Sequence, residues 1–537
     1  MKSVLEYLEN SAIKNPEKTA VLDDKEKSSY SELLAISKTI GAGLLEHVTP
    51  GEPVAVFMKK SVITLQSFFG IVYAGGFYCL IDPDFPVERI DNILSVLQPK
   101  VVITSEENRE KLSETLFEGN VLIAEKLRGY PVPASKEEGT EIPVSNIEIS
   151  KEAEASFAKI REEEKPDHPL YCNFTSGSTG TPKGVLVAHD TVISFIDDFT
   201  ELFNITEEDV IGNQAPFDFD VSVKDIYSAM KVGATLVIIP TAFFRFPNNV
   251  MDMLEENKVT TLIWAVSALV LLNRLHEFMY KVPPCINKVL FSGEEMPVKH
   301  LNDWMDQYPD ATFVNLYGPT EITCNCSYYV IEERYAEGEK IPAGHPYPKK
   351  QIWLMNDGKA FPLRERWHAE GVTDEVSSDE VDDPSPTGEI VVTGIGPALG
   401  YYNNPEATEK AFINLTLPDG STARAYKTGD LGYIKGGLLY FAGRADFQIK
   451  HNGHRIELEE IERALNSLPE VSQGACVYDT EKYRLVAYYT GTEDKKAILE
   501  GLKKKIPEYM IPNVFRFVED IPLTKNGKVD RKLLKEL

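Results

Sequence analysis

The sequence predicts an α/β protein in which a large N-terminal domain of layered subdomains precedes a small α+β C-terminal domain. Short β-rich runs recur along the chain, namely VAVFMKK, VVITS, GVLVAH, ATLVIIP, TTLIWAV and KVLFSG. Helical stretches such as SVITLQSFFGIVYAGG and NVMDMLEENK lie between them. This alternation is typical of α/β layers with largely parallel strands. The 537 residues exceed one ordinary core, since about 150 residues per domain gives roughly two to four folding units.

A compact helix and strand pattern begins again after the segment GRADFQIKHNGHRIELEEIERAL. We therefore place a domain boundary at Asp446, with residues 1–445 in the large domain and residues 446–537 in the small one. Roughly 90 residues is within the usual domain range. Two polar stretches, EISKEAEASFAKIREEEKPDH and EGVTDEVSSDEVDDPSPTGE, are predicted to be solvated insertions. The start, MKSVLEYLENSAIKNPEK, has the pattern of an amphipathic surface helix and not of a signal peptide.

The composition disfavours several classes of partner. The formal net charge is −27, which opposes nonspecific binding to nucleic acid or anionic membranes because phosphate groups need a basic face. No apolar run reaches membrane-spanning length. The six cysteines contain no CxxC pair, a pattern typical of reduced thiols in a cytosolic protein. We therefore expect a cytoplasmic monomer without membrane insertion and without a nucleic-acid partner.

Residues 173–184, NFTSGSTGTPKG, form a cluster of glycine, serine and threonine around a lysine. Such a cluster is most often an ordinary loop. Here it follows the strand-like run HPLYCNF, and glycines let backbone N–H groups approach an anion while Lys183 adds a positive charge. It is not a Walker loop, because Pro182 precedes Lys183 and GVLVAH continues as a strand. The cluster predicts phosphate binding of a kind that differs from P-loop NTPases.

Four further motifs follow in order: NLYGPTE (315–321), YKTGDLG (426–432), GRADFQIKHNGHRIELEEIE (443–462) and NGKVDRK (526–532). With TSGSTGTPKG, this set resembles the adenylate-forming superfamily of acyl-CoA synthetases, luciferases and amino-acid adenylation domains of nonribosomal peptide synthetases. The segments QAPFDFDVSVKDIY, FRFP, YKTGDLGY and KNGKVDRKLL are most similar to stand-alone D-alanine–D-alanyl carrier protein ligases. The resemblance extends from near Met1 to the C-terminus.

The resemblance implies a reaction in two halves. A carboxylate attacks the α-phosphate of ATP, which gives an acyl-adenylate and pyrophosphate, and a thiol then takes the acyl group and releases AMP. Two anions meet in the first half, so cations and amide donors must offset their repulsion. The family pattern implies Mg²⁺ at the departing pyrophosphate and assigns phosphate binding to Thr175, Ser176, Gly177, Ser178, Thr179, Gly180 and Lys183.

By the same resemblance, NLYGPTE forms the nucleotide site. Tyr317 would lie against the adenine face, where stacking is favourable, and Asn315 would bind the adenine edge. Thr320 would bond the α-phosphate, and Glu321 would bind magnesium through a hard oxygen ligand. Without the other motifs, YGP would indicate a turn and Tyr317 a core aromatic. The remaining residues assigned to ATP are Gly293, Glu294, Leu316, Gly318 and Pro319.

The last two motifs are implied to complete the site. Asp430 resembles the ribose-binding aspartate, and Arg444 would pair with ribose or phosphate oxygens, although surface ion pairs are the commoner role of such residues. Lys528 matches the catalytic lysine that contacts the substrate carboxylate and the α-phosphate together. Asp446 matches the hinge about which the mobile small domain turns between the half-reactions. After that turn, Gly453 would let a pantetheine thiol pass close to the backbone.

Asp220, in the strand-like run FDFDVSV, indicates an amino-acid substrate, because it matches the aspartate that holds the α-ammonium group, which aryl- and fatty-acid ligases typically lack. Phe217 resembles an aromatic gate, and Trp264 and Leu316 would narrow the pocket. Lys224 departs from the D-alanine ligases, which have an apolar residue there; a lysine in such a pocket is costly unless it meets an anion. It either recognises an acidic or polar side chain or points outward. The other pocket positions are Val221, Leu290, Ser292, Cys324, Asn325 and Lys528.

Three functions are left open by the sequence. The first is a stand-alone ligase for an amino acid and a separate phosphopantetheinylated carrier protein, since no carrier segment follows the lysine motif and no HHxxxD motif occurs. The second is a CoA ligase, against which Asp220 argues. The third is a nucleotide-sensing scaffold without activity. The third is opposed by the presence of Lys183, Glu321, Asp430, Arg444 and Lys528.

Overall fold

The computed structural model describes residues 1–129, 149–177, 181–356, 359–363, 384–451, 453–480, 482–523 and 529–536. Helices and strands alternate through the first part of the chain, as the sequence predicts. The helices are α1 (Leu5–Lys14), α2 (Tyr30–Leu44), α3 (Val62–Tyr73), α4 (Val87–Leu97), α5 (Arg109–Leu112), α6 (Ala124–Leu127), α7 (Lys151–Glu163), α8 (His189–Leu202), α9 (Val221–Val232), α10 (Pro247–Glu256), α11 (Val266–Arg274), α12 (Glu277–Tyr280), α13 (Val298–Gln307), α14 (Pro405–Ala411), α15 (Leu458–Asn466), α16 (Lys495–Lys503) and α17 (Arg531–Glu536).

The six β-rich runs named first in the sequence analysis are all strands, and the two helical stretches lie on α3 and α10. The strands of the large domain are β1 (Thr19–Leu22), β2 (Lys27–Ser29), β3 (Pro53–Phe57), β4 (Phe77–Leu80), β5 (Val101–Thr104), β6 (Asn120–Ile123), β7 (Pro169–Thr175), β8 (Lys183–Ala188), β9 (Val210–Asn213), β10 (Thr235–Ile238), β11 (Thr261–Ala265), β12 (Lys288–Ser292), β13 (Thr312–Tyr317), β14 (Ser327–Ile331), β15 (His345–Pro346), β16 (Lys350–Asn356), β17 (Lys359–Pro362), β18 (Gly388–Gly394), β19 (Gly400–Tyr401), β20 (Phe412–Thr416), β21 (Thr422–Lys435) and β22 (Leu438–Arg444). After residue 446 come β23 (Gln448–His451), β24 (His454–Glu457), β25 (Val471–Asp479), β26 (Arg484–Gly491) and β27 (Val514–Phe517).

Two sheets of the large domain are mainly parallel. One has nine strands in the order β15-β14-β13-β12-β11-β9-β10-β1-β2, and its six central strands run parallel. The other has seven strands in the order β19-β8-β7-β4-β3-β5-β6, of which the last five are parallel. In such sheets ligands bind beyond the carboxyl ends of the strands. The phosphate-loop motif contains the carboxyl end of β7, and NLYGPTE contains the carboxyl end of β13.

The third sheet departs from the predicted parallel arrangement. It joins β17, β16, β18, β21 and β20, with β22 on β21, through antiparallel pairs alone. Antiparallel neighbours can be joined by short turns, whereas a parallel pair needs a crossover of about a dozen residues. The segment 412–444 carries three strands with no helix between them, so it forms hairpins.

The nine-stranded sheet separates two hydrophobic cores. The larger core contains buried residues of both mainly parallel sheets and of helices α1, α2, α3, α8 and α9. In it the hydroxyls of Tyr78 and Tyr227 share a 2.9 Å hydrogen bond between β4 and α9. The second core includes residues of α10, α11 and α13. Because successive side chains on a strand point to opposite faces, Ile263 lies in the first core and Trp264 in the second.

The C-terminal part of the chain has hydrophobic cores of its own. Buried residues between 456 and 534 form two clusters around β25, β26 and α15. Strands β23 and β24 form a separate two-stranded hairpin that faces the large domain. A buried ion pair between Arg89 and Glu460, 2.6 Å apart, also joins the two parts. A boundary at Asp446, between β22 and β23, stays a prediction.

Three segments that the sequence places at the surface have different outcomes. The start of the chain forms α1, with an apolar face that is buried, as the sequence predicts. Residues 149–168 were expected to be a solvated insertion, but they include α7, which is capped by Ser150 and buries Ala153 and Phe157. Phe157 packs against Tyr73 with ring centroids 5.3 Å apart. Most of the second stretch, residues 370–383, lies outside the described residues. No helix in the described ranges is long and apolar enough to cross a membrane.

Candidate active site

The carboxyl ends of β7, β12 and β13 border a cavity of about 100 Å³ that β23 and β24 close from the other side. Most of the predicted site lies here. The cavity is lined by Phe85, Arg89, Asn173, Phe174, Thr175, Ser176, Asp218, Phe219, Asp220, Val221, Lys224, Ser292, Gly293, Gly318, Pro319, Thr320, Cys324, Asn325, Asp430, Arg444, Gln448, Lys450, Gly453, Arg455 and Tyr509.

The predicted phosphate loop joins two antiparallel strands. Thr175 at the end of β7 pairs with Lys183 at the start of β8. At Gly177 an added Cβ would lie 2.1 Å from the carbonyl oxygen of Thr181, so this close backbone approach requires glycine. The ammonium group of Lys183 lies over the ring of Tyr401 at 5.5 Å. Ser178, Thr179 and Gly180 lie outside the described residues.

The small domain holds the described part of this loop. The Ser176 hydroxyl donates a 2.9 Å hydrogen bond to the carbonyl oxygen of Arg455. The Arg463 guanidinium donates a 3.0 Å hydrogen bond to the carbonyl oxygen of Gly177. The loop is therefore engaged by protein groups in this arrangement.

Glu321, the predicted magnesium ligand, is buried at the cavity edge with 1% of its surface exposed. Arg455 donates to both carboxylate oxygens at 2.8 Å, and the Tyr401 hydroxyl donates to one at 2.8 Å. Burial alone would raise the pKa of Glu321, but the guanidinium of Arg455 holds the pKa below its ordinary value. No cluster of three metal-ligating side chains occurs among the residues described. One carboxylate suits Mg²⁺ that takes its other ligands from phosphates and water.

Asp430, the predicted ribose ligand, is almost fully buried. Its carboxylate accepts a 2.7 Å hydrogen bond from the Tyr317 hydroxyl and pairs with Arg444. Arg444 in turn donates to both oxygens of Asp446, at 2.6 and 2.8 Å. The predicted hinge residue is thus tied to the predicted nucleotide ligands. Lys450 of β23 lies 5.8 Å over the Tyr317 ring, the ring that the sequence assigns to adenine.

Only some of the residues that the sequence assigns to the nucleotide line the cavity. Gly293, Gly318, Pro319 and Thr320 line the cavity, and at Gly318 an added Cβ would lie 2.6 Å from the Cα of Asn325. Asn315 donates its amide N–H to the carbonyl oxygen of Pro342 at 2.8 Å. Glu294 accepts a 2.7 Å hydrogen bond from the Gly453 backbone N–H and so binds the small domain.

Asp220 and Lys224 line the part of the cavity that the sequence assigns to the amino acid. Asp220 is in a turn at the N-terminus of α9, not on the strand-like run that the sequence suggests, and Lys224 is one helical turn later. Burial raises the pKa of Asp220 above its ordinary value, and Lys224 and a hydrogen bond from Thr320 offset part of the rise. Val221, Ser292, Cys324 and Asn325 line the same cavity, as predicted. The Cys324 thiol donates to the carbonyl oxygen of Asp220 at 3.3 Å.

Two aromatic residues that the sequence assigns to the pocket do not line the cavity. Trp264 does not line the cavity: it lies in the second core, on the far face of the nine-stranded sheet, and its indole N–H donates to the Gly212 carbonyl oxygen at 2.7 Å. Phe217 packs in the first core, 5.8 Å from Phe68. Phe219, two residues later, lines the cavity instead. Leu290 and Leu316 are buried in the core beside the cavity and are not part of its surface.

Gly453 connects this cavity with a larger one of about 320 Å³. Phe219, Val221 and Gly453 line both. Gly453 has a left-handed φ of +79°, and an added Cβ would lie 3.2 Å from the Cβ of Ala265. The neighbouring His454 ring stacks on Tyr509 at 3.7 Å. The hairpin therefore borders both cavities at Gly453, and the turn of the small domain stays a prediction. Lys528 lies outside the described residues.

Comparisons with known proteins agree with these motifs. The family model of the AMP-binding enzyme matches residues 8–402, and the model of the AMP-binding enzyme C-terminal domain matches residues 460–528. A D-alanine--D-alanyl carrier protein ligase of Bacillus cereus is 31% identical over 99% of this chain and 98% of its own length. A mycosubtilin synthase protein of Bacillus subtilis is also 31% identical over 99% of this chain, which spans only 19% of that protein. The Vibrio cholerae adenylation domain AlmE, solved with glycyl-adenosine-5'-phosphate, has the same fold, with a TM-score of 0.79 at 19% identity over 100% of this chain and 98% of that one.

Proposed function

Since the chain belongs to the AMP-binding enzyme family and is an ATP-dependent ligase that releases AMP, we propose that it joins an amino acid to AMP and then loads a separate carrier protein. An oxygen of the amino-acid carboxylate attacks the α-phosphorus of ATP, and the bond to the pyrophosphate oxygen breaks. The phosphopantetheine thiol of the carrier then attacks the carbonyl carbon, and AMP leaves.

The buried carboxylate of Asp220 carries the proposal of an amino-acid substrate. It lies on the cavity wall with 8% of its surface exposed. A buried carboxylate at a ligand cavity is costly unless a cation offsets it, and an α-ammonium group supplies that cation. Phe219 beside it is the candidate aromatic gate, in place of Phe217.

The nucleotide would use the opposite end of the cavity. We assign the phosphates to Thr175, Ser176, Gly177 and Lys183, together with the loop residues 178–180 that were predicted from the sequence. Asp430 would accept hydrogen bonds from the ribose hydroxyls, since its carboxylate already accepts them from Tyr317 and Arg444. Lys528 stays the proposed catalytic lysine on the family resemblance alone.

We propose that Glu321 binds Mg²⁺ during the first half-reaction. Both of its oxygens are paired with Arg455 in this arrangement, so a cation is already favoured at this carboxylate. Arg455 belongs to the small domain, and its withdrawal would leave the oxygens free for a metal. Mg²⁺ would offset the charge of the departing pyrophosphate.

The second cavity supports transfer to a carrier thiol. Its 320 Å³ volume ends at Gly453, where the missing side chain leaves room for a thin pantetheine arm. The D-alanine--D-alanyl carrier protein ligase similarity favours a carrier protein over CoA. We further propose that the ligase acts as a cytoplasmic monomer without nucleic acid, for which the net charge of −27 is the support; size-exclusion chromatography at working concentration tests the monomer.

The test has two assays. ATP–pyrophosphate exchange with a panel of D- and L-amino acids measures the first half, and thioester formation with a pantetheinylated carrier or with CoA measures the second. We expect amino-acid-dependent exchange, carrier loading in preference to CoA, and a loss of exchange of at least about 100-fold in Lys528→Ala. Absence of exchange with every amino acid would refute the proposed function, and loading of CoA alone would replace the carrier by the soluble thiol.

A further inference from the structure

Lys224 is a buried ammonium group whose local partners are neutral. Its side chain is 1% exposed and lines the amino-acid side of the cavity. The ammonium donates to the Asn325 side-chain oxygen at 2.9 Å and to the Ser292 hydroxyl at 3.2 Å. It forms no ion pair with a carboxylate anywhere in the described ranges. One of its three donors is therefore left for a ligand.

Lys350 is a second buried lysine, and its contacts indicate a structural role. Lys350 is 3% exposed, and its ammonium donates to the carbonyl oxygens of Ile322, Thr323 and Asn325 at 2.7, 3.1 and 2.6 Å. All three donors are used, and they hold the turn in which Thr323 has a left-handed φ of 58°. Lys350 does not line the cavity that contains Lys224 and the predicted ligand-binding residues. Lys224 differs in having fewer acceptors and an open side.

The two nearby carboxylates are not available for an ion pair with Lys224 when substrate is bound. Asp220 is the N-cap of α9, four residues before Lys224 and with helical φ and ψ, and its charge is used by the α-ammonium group in the proposed function. Asp225 is fully buried and accepts a 2.6 Å hydrogen bond from the Asn213 amide instead. An ammonium group in such a place is costly without a matching anion. The missing anion can come from the substrate.

We propose that the substrate is an amino acid with a short anionic side chain, of the aspartate class, whose side-chain carboxylate binds Lys224 while its α-ammonium binds Asp220. This inference rests on the proposed function. Positions four residues apart on a helix are about 5–6 Å apart at Cβ, a spacing that suits two opposite charges on one short amino acid.

Two neutral groups complete the proposed carboxylate subsite. The Ser292 hydroxyl accepts from Lys224, so its own proton can point to a ligand oxygen. Asn325 turns its amide oxygen to Lys224, and no partner for its NH₂ group occurs among the described residues. Three donors would thus surround one carboxylate, as charge-assisted hydrogen bonding requires.

The experiment compares exchange rates of the full chain with D- and L-aspartate, asparagine, glutamate and alanine. We expect kcat/KM for one aspartate enantiomer to exceed that for the isosteric asparagine by about 10-fold or more. Lys224→Met keeps the length and removes the charge. It should lower kcat/KM for aspartate by about 100-fold and the aspartate-to-asparagine ratio of kcat/KM by about 30-fold or more.

Lys350→Met is the matched control, because the same substitution is made at the structural lysine. It should lower the melting temperature and leave the aspartate-to-asparagine ratio of kcat/KM as in the wild type. Exchange with neutral amino acids but not with aspartate, or an unchanged ratio in Lys224→Met, would overturn the inference and leave the proposed function standing. No exchange with any amino acid would overturn both. If Lys224→Met fails to fold, Ser292→Ala, which removes one donor, should lower the same ratio by about 3-fold, and an unchanged ratio there would also overturn it.

Discussion

The cavity is bounded by two regions that are built in different ways. The wall, defined as Asp220, Lys224, Ser292, Glu321 and Asn325, belongs to the large domain, and none of its members is more than 8% exposed. The hairpin, defined as strands β23 and β24 with the intervening glycine, belongs to the small domain. It contacts Glu321 of the wall through Arg455 and Glu294 of the large domain through the Gly453 backbone N–H. The wall is continuous with a packed core, whereas the hairpin meets the large domain through hydrogen bonds, an ion pair and the contact of the His454 ring with Phe219.

This difference suggests a division of labour. A rigid wall suits recognition of the amino acid, which must stay bound through both half-reactions. A detachable hairpin suits a step that occurs in only one of them. Wall variants should therefore impair both assays, and hairpin variants should impair thioester formation more than pyrophosphate exchange.

The largest effect is expected at the wall for Asp220→Ala. The variant removes the carboxylate that offsets the α-ammonium group, and breaking a buried charge pair costs about 3–5 kcal/mol. Amino-acid-dependent pyrophosphate exchange should fall by more than about 100-fold, and thioester formation should fall with it. Asp24→Asn on the exposed surface is the control for a loss of one negative charge. Exchange at the wild-type rate in Asp220→Ala would refute the assignment of an amino-acid site.

The next effect is expected at the hairpin for Gly453→Leu. The left-handed φ of +79° and the 3.2 Å approach to Ala265 leave no room for a branched side chain in the cavity of about 320 Å³. Thioester formation should fall by about 100-fold, while exchange changes by less than about 3-fold. Gly453→Ala should have an intermediate effect on the second assay. Equal losses in both assays would mean that the hairpin and the wall act as one unit.

The sequence predicted the wall and the hairpin unequally. Motifs located Asp220, Glu321, Asp430 and Gly453 because their chemistry depends on residue type and order. The sequence did not predict which of two nearby aromatic residues faces the cavity. Phe219 lines the cavity and Phe217 does not, because the segment is a turn in which the alternation of a strand does not apply.

Tertiary placement was harder still. Trp264 is on a strand with both faces buried, so the composition of the strand does not reveal which face meets the cavity. The burial of α7 was also missed, because only two of its side chains are buried and the rest are polar. The pairing of Arg455 with Glu321 joins residues 134 positions apart in two domains, and no local pattern encodes it.

A smaller effect tests that pairing. Arg455→Ala removes the guanidinium that competes with a metal for Glu321, while the backbone carbonyl that accepts from Ser176 remains. The Mg²⁺ concentration that half-saturates exchange should fall by about 3- to 10-fold, and thioester formation should fall by about 10-fold because Glu321 loses its partner. Arg89→Ala is the matched control, since it breaks another interdomain ion pair at Glu460. An equal change in Mg²⁺ dependence in both variants would show that Arg455 acts only by holding the domains together.

The smallest effect is a change in stability expected for a variant of Asp225. Asp225 is fully buried and follows Lys224 on α9, and burial raises its pKa to about 7. Between pH of about 4 and 7 the folded state therefore binds more protons than the unfolded state, so this carboxyl lowers the free energy of unfolding progressively as pH rises. Asp225→Asn stays neutral and can still accept from the Asn213 amide. Relative to the wild type, the variant should gain about 1–3 kcal/mol in the free energy of unfolding between pH 5 and pH 8, measured by urea denaturation. A stability difference that is the same at both pH values would mean that Asp225 is already paired as an anion, most directly with Lys224, and the wall would then balance its own charges without the substrate.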